Sequence, residues 1–312
     1  DEFEYNRNLN ILNANKDVVL EDKLKDYKII SENITYFKNK EKFVTEGKTK
    51  AFIDSSYEFN SKNVIFLKNE MKLSSDNKTT IIEKKKQFYS LNKFIYFIND
   101  QELRGEKIVI TTNYGLPKSD KFYFEDGIFN FRKRKFLAKD TKIEIHKDIF
   151  DNTDNDPRLN GVSSSGDDNI TIINKGIFTS CKKRDGCPPW TVKADEIKHD
   201  RKKKQLNYKN AVVQIYDIPV FYFPKFFHPD PSVKRQSGLL KPTINHSTIL
   251  GSSLTVPYYK DISQSKDFTF RPTWFDNRIW TVQNEFRQAN QNSNFIADFG
   301  YVRGYKSKTN NK

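Results

Sequence analysis

Along the first two hundred residues, apolar side chains recur at every second position in short runs and never settle into a helical period. The segment "IISENITYFKNKEKFVTEGKTKAFI" (29–53) reads as a strand, a Lys/Asn turn, a second strand and a glycine-led third. The phrase returns in "EFNSKNVIFLKNEMKLSSDNKTTII" (58–82) and in "FYSLNKFIYFINDQELRGEKIVI" (88–110), so that Ile34, Val64 and Phe94 fall at equal intervals of thirty. "FEDGIFNFRKRKFLAKDTKIEI" (124–145) continues it after a longer gap, and "VKADEIKHDRKKKQLNYKNAVVQI" (192–215) resumes it. Repeated strand units that bury their faces only against neighbours predict a β-roll or jelly roll. Ile34 with Tyr36, Val64 with Phe66, Phe94 with Tyr96 and Phe129 with Phe131 should all point the same way. These rows serve equally as a closed core or as the lining of an apolar groove. The polar stretch 146–175 breaks the pattern and reads as an insertion or long loop.

Beyond residue 243 the runs lengthen. In 250–258, 267–275, 279–287 and 295–303 one face is apolar and the other polar. Phe268, Phe270, Pro272 and Trp274, for example, alternate with Asp267, Thr269, Arg271 and Thr273. Ten-residue segments of this kind, joined alternately by short and long connections, fit transmembrane β-barrel strands, and a soluble antiparallel sheet is the other reading. Four such strands cannot close a barrel, so the chain is expected to hold only a barrel's beginning. Pro257 and Pro272 fall inside the first two of these predicted strands, where each removes a ladder donor.

Between the two regions lies "DIPVFYFPKFFHPDPSVKRQSGLL" (217–240), dense in proline and aromatic residues. Its prolines predict a stiff connector outside any sheet. Proline usage marks the boundary, since only Pro117 and Pro157 precede residue 188.

Composition adds limits. No run approaches the eighteen or so apolar residues of a spanning helix, so a membrane role would need strands. The formal net charge of +14 invites an anionic partner, although Lys and Asn are spread along the whole chain. "RKRK" (132–135) and "RKKK" (201–204) sit where turns are expected. The sole methionine is Met71, so a removed targeting segment, and with it secretion, stays open. Cys181 and Cys187 suit an oxidising compartment. With His199 they do not make a recognisable zinc spacing. No nucleophile–base grouping, phosphate loop or metal motif occurs, so no catalytic residue, metal or cofactor is expected.

"GIFTSC…PPWTVKADEIKHD", followed by "IPVFYFPKFFHPDPSVKRQSGLL" and "LTVPYYKDIS", resembles the LptD (OstA) family of lipopolysaccharide-assembly proteins from about residue 176 to 303. Residues 1–175 resemble more loosely the periplasmic bridge proteins of the same transport system. The resemblance implies an all-β chain, with residues 1–228 a periplasmic jelly roll plus connector and 229–312 the first strands of an outer-membrane barrel. It implies lipopolysaccharide as cargo, a barrel-plugging lipoprotein of the LptE type, a bridge protein of the LptA type at the N-terminal edge, and no nucleic acid. Acyl chains would run along a groove lined by Ile34, Tyr36, Val64, Phe66, Phe94, Tyr96, Phe129 and Phe131. They would leave through a seam weakened at Pro257 and Pro272, while the connector's aromatics meet the membrane interface. For Cys181 the family implies a disulfide to a cysteine beyond this chain, whereas Cys187 offers a local partner. The competing reading is a secreted basic β-repeat module that binds a polyanion.

Overall fold

A computed structural model describes residues 2–84, 87–116, 119–146, 156–182, 189–230, 233, 235–240 and 242–304. Among them every regular element is a β-strand except one 3-10 turn at Lys38–Lys40, as the period-two pattern requires. The chain forms two compact units, residues 1–227 and 228–312.

In the first unit β1 (Glu2–Asn6), β2 (Ile11–Asp22), β3 (Tyr27–Phe37) and β4 (Lys42–Ile53) pair in sequence, all antiparallel. Each long strand then turns a corner half-way. β4 pairs through its last residues with β5 (Tyr57–Lys62) and through its first with β6 (Ile65–Leu67). The next strands are cut at the same level into β7 (Lys72–Ser75) and β8 (Thr79–Glu83), then β9 (Gln87–Leu91) and β10 (Lys93–Phe97). Seven strands complete the array: β11 (Glu102–Thr112), β12 (Lys121–Asn130), β13 (Lys135–Glu144), β14 (Arg158–Gly166), β15 (Ile170–Thr179), β16 (Trp190–Asp200) and β17 (Gln205–Ile215).

The corners have a local cause. Asn63, Lys107, Asp140, Lys175 and Asn210 take left-handed φ near +50°, and Gly47 reaches +81°. Only glycine adopts that last value without strain, and the added Cβ would press on the Glu32 carboxylate. Inside the fold the corners carry hydroxyls rather than large side chains. Ser31 meets Thr49 at 3.1 Å, Ser61 meets Thr79 at 2.7 Å and Thr141 meets Ser164 at 2.6 Å, so these buried polar groups satisfy one another.

The corners fold the array into two facing half-sheets. One holds the segment of each strand typified by Tyr27, Phe59, Tyr89 and Phe124, and the other that typified by Phe66, Phe94, Phe129 and Phe136. Their inner faces meet in one aromatic core. Tyr27 packs edge-on to Phe66 at 5.0 Å, Phe59 lies 5.0 Å from Tyr96, and Tyr57 stacks on Phe131 at 4.7 Å.

Two expectations are corrected. The stretch 146–175 is not a long loop: residues 158–166 and 170–179 are strands β14 and β15, while 147–155 lie outside the described residues. β14 was hidden because its inward face carries Leu159, Gly161 and Ser164 rather than large apolar groups. The proline-rich connector likewise enters the sheet as β18 (Ile218–Pro229). Proline's fixed φ is compatible with extended backbone, and its missing donor is tolerated at a sheet edge. Phe223 and Phe226 of β18 stack on one another at 5.4 Å and close over the core beside Tyr208.

The second unit is a separate antiparallel sheet. Its strands are β19 (Gly238–Leu239), β20 (Thr243–Ser247), β21 (Gly251–Thr255), β22 (Tyr258–Ser263), β23 (Lys266–Phe275), β24 (Trp280–Ala289) and β25 (Asn294–Arg303). β21 and β22 pair along successive parts of β23, and β20 and β19 pair with them in turn. The unit therefore begins earlier than the pattern predicted, with β19 and β20. Pro257 accordingly falls between β21 and β22, and Pro272 within β23, rather than in the unit's first two strands. The apolar rows align in register, with Phe268 opposite Phe286, Pro272 opposite Val282, and Trp274 opposite Trp280. The aromatic face stays open to the surroundings at Trp274, Phe295, Phe299 and Tyr301.

Candidate lipid cavity and proline line

A cavity of about 490 Å³ opens between the two half-sheets of the first unit. Tyr89, Ile110, Phe122 and Phe124 form one wall, and Phe129, Phe131 and Phe136 the other. Its rim is polar, with Gln87, Asp120, Arg134, Asp168 and Arg201. A volume in this range suits a small ligand or part of a chain-like one, and an aromatic wall with a charged rim suits an amphiphile.

The eight residues expected to line a groove separate into two groups. Phe129 and Phe131 line the cavity. Val64, Phe66, Phe94 and Tyr96 are buried to 2% exposure or less in the packed core and do not line this cavity, and Phe94 borders a separate, smaller pocket of about 230 Å³. Ile34 is also buried, and Tyr36 is half-buried, stacked on Phe43 at 4.2 Å with its hydroxyl donating to Glu41 at 2.9 Å. The sequence reading missed Tyr89, Ile110, Phe122, Phe124 and Phe136. The alternation of Phe122 and Phe124 was visible, but the polar run before it drew the repeat boundary too late.

Burial raises the phenol pKa values of Tyr89 and Tyr96 far above the ordinary range, so both stay neutral. The Tyr96 hydroxyl has no hydrogen-bond partner among the described residues. At the rim, Arg134 donates to the buried Glu83 carboxylate at 2.6 Å, and this bond holds its guanidinium above the usual value.

Prolines organise the second unit. Pro242, Pro257 and Pro272 stand at equal intervals of fifteen, the first two directly before β20 and β22 and the third inside β23. Pro242 stands between β19 and β20, and Pro257 between β21 and β22. Across the break Leu240 N–H donates to Pro257 O at 2.8 Å, and Val256 N–H donates to Pro272 O at 3.2 Å. On the polar face, Asp267 joins Arg235 at 2.8 Å and Arg287 at 2.7 Å. Arg235 also donates to the Tyr259 hydroxyl and to Gln264 O, tying the segment before β19 to the β22–β23 hairpin.

Cys181 is half-buried with its Sγ 3.9 Å from Trp190 O, and Cys187 lies outside the described residues, as does any pairing between them. No cluster of three or more metal-ligating side chains occurs among the described residues.

No family model matches the chain. It is, however, similar to the LPS-assembly protein LptD of Sodalis glossinidius, 31% identical over 137 residues, covering 44% of this chain and 17% of the relative. The LptD of Yersinia enterocolitica is 36% identical over 122 residues, 39% of this chain and 15% of that one. A longer match, to the LptD of Shewanella frigidimarina, runs over 209 residues at 29% identity, 63% of this chain and 27% of the relative. Over these segments the chain is similar to part of the LptD proteins. It spans less than a third of the length of these LptD relatives. The LptD resemblance first read from the Trp strand, the proline-aromatic segment and the PYY strand thus stands, and so does the all-β architecture.

Proposed function

We propose that the chain carries lipopolysaccharide toward the outer leaflet of the outer membrane. Residues 1–228 act in the periplasm and 229–312 contribute the opening strands of a barrel. The observation that carries this reading is the aromatic cavity between two half-sheets, in a chain whose relatives are named LPS-assembly proteins. Acyl chains suit its walls, and phosphates or inner sugars suit its charged rim. The aligned aromatic face of β23, β24 and β25 supports membrane contact. The role is transport rather than catalysis. At the other end, exposed β1 offers a sheet edge to which a bridge protein of the LptA type can add a strand, and an LptE-type lipoprotein would fill the completed barrel.

A photo-reactive residue at Ile110 tests this in cells. A lipopolysaccharide adduct at Ile110, absent with the probe at the outward-facing Lys139, is the expected result. No adduct at any cavity position would overturn the reading and favour a polyanion-binding module.

The proline line serves as the exit seam. Each break leaves few ladder bonds to part when a glycolipid moves sideways. The double change Pro257→Ala with Pro272→Ala is expected to tighten the strands and slow export several-fold. Unchanged delivery of surface lipopolysaccharide would count against the seam.

A further inference from the structure

The two half-sheets end in two rows of turns that face each other along the open edge of the first unit. Side chains bridge these rows at regular steps. In the turn after β2, Lys25 Nζ lies 3.7 Å from Met71 Sδ, in the turn after β6. One repeat on, Gln101 Nε2 donates to Asp54 Oδ2 at 2.6 Å. One further on, Arg134 reaches Glu83 at 2.6 Å, with Asp168 3.8 Å behind it. Past these, the Arg201 guanidinium lies over the Phe122 ring at 5.9 Å. Lys25, Asp54 and Glu83 are equally spaced along the chain, and each pairs with a turn further along the opposite row. None of these contacts belongs to the strand ladder. Among the described residues, the contacts across the open edge are made by side chains.

We propose that this row is a side gate of the jelly roll, and that Glu83–Arg134 is its working clasp, parting to let acyl chains enter the cavity from the side rather than only along the array. The inference rests on the lipid-carrying reading above. Three observations single out this pair. Arg134 is part of the cavity rim. Glu83 is buried, and its second oxygen, Oε2, has no hydrogen-bond partner among the described residues, so Arg134 is what holds it there. A buried carboxylate left without its partner is costly, which keeps the clasp shut at rest. The planar guanidinium accepts a phosphate as readily as a carboxylate. An amphiphile with a phosphorylated headgroup can therefore exchange with Glu83 on Arg134 while its chains pass beneath, and Glu83 is released to water as the rows part. Asp54–Gln101 covers solid core rather than cavity, so it serves as a hinge-side fastening.

The test keeps the photo-reactive residue at Ile110 in the full chain and adds Glu83→Cys with Arg134→Cys. A short bis-methanethiosulfonate bridges the thiols, because a Glu–Arg pair spans more than a disulfide. Single-cysteine variants control for Cys181 and Cys187. Bridging is expected to cut the lipopolysaccharide adduct at least tenfold, and reductant should restore it. A second variant, Glu83→Gln, keeps the shape but removes the charge, and should raise the adduct several-fold. An adduct unchanged by both the bridge and Glu83→Gln would overturn the gate and leave the cavity reading intact. No adduct even in the unbridged chain would overturn both.

Discussion

Phe66→Ala is expected to destabilise the first unit by about 3–5 kcal/mol. The ring is fully buried, edge-on to Tyr27 at 5.0 Å and 6.0 Å from Phe43, in a region where no cavity opens to absorb the loss. Its strand, β6, is only three residues long and is held by β4 and β7, so the backbone cannot collapse inward without breaking those ladders. Urea unfolding followed by circular dichroism would show the midpoint falling with little change in slope. Phe129→Ala should cost clearly less, because that ring already borders open space. A loss at Phe66 no larger than at Phe129 would mean that the packed stretch of the interior is not packed. The comparison also decides how transport is probed. A charge placed at Phe66 or Phe94 would unfold the array rather than block a passage, so tests of passage belong at Ile110 or Phe122.

Gly161→Val is expected to cost about 1–3 kcal/mol through overpacking. A Cβ at this corner of β14 would lie 2.2 Å from Ile173 Cγ2 and 3.0 Å from the carbonyl oxygen of Asn174 on the neighbouring strand. Ile173 is fully buried and the carbonyl is backbone, so neither can step aside cheaply. Accelerated amide exchange confined first to β14 and β15 would mark the site of damage. Gly238→Ala is the control, since nothing lies within 4 Å of its added Cβ. Equal loss at both glycines would refute the close approach.

Much of this architecture was legible because strand geometry writes itself into sequence as alternation. Val64 with Phe66 and Phe94 with Tyr96 could be placed on one face from spacing alone, and the structure buries all four. Four features escaped, each for a physical reason. The corners depend on left-handed backbone at Lys107, Asp140 and Lys175 as well as at Gly47, and side chains such as Lys announce no such conformation. β19 and β20 show no alternation because the residues there are exposed on both faces, including Leu239 and Ile244. The cavity was invisible because Phe129 and Phe66 occupy equivalent places in the repeat. What separates them is the spacing between the half-sheets at each level, a property of the assembled array. The Glu83–Arg134 and Asp54–Gln101 bridges join residues about fifty positions apart, beyond the reach of any local motif.

Because Asp54 and Glu83 occupy the same place in successive rungs, the length of this array is adjustable in whole units. Strands lie ~4.8 Å apart, so removing the two corner-turning levels between Asp54 and Glu83, β5 with β6 and β7 with β8, would shorten the array by roughly 10 Å, returning every inward side chain to the same face. Adding a pair would lengthen it equally. Removing a single strand would reverse the chain's direction and bring a turn to the wrong edge. The array is thus a ruler graduated in strand pairs, and the distance it bridges can be reset only in steps of that size.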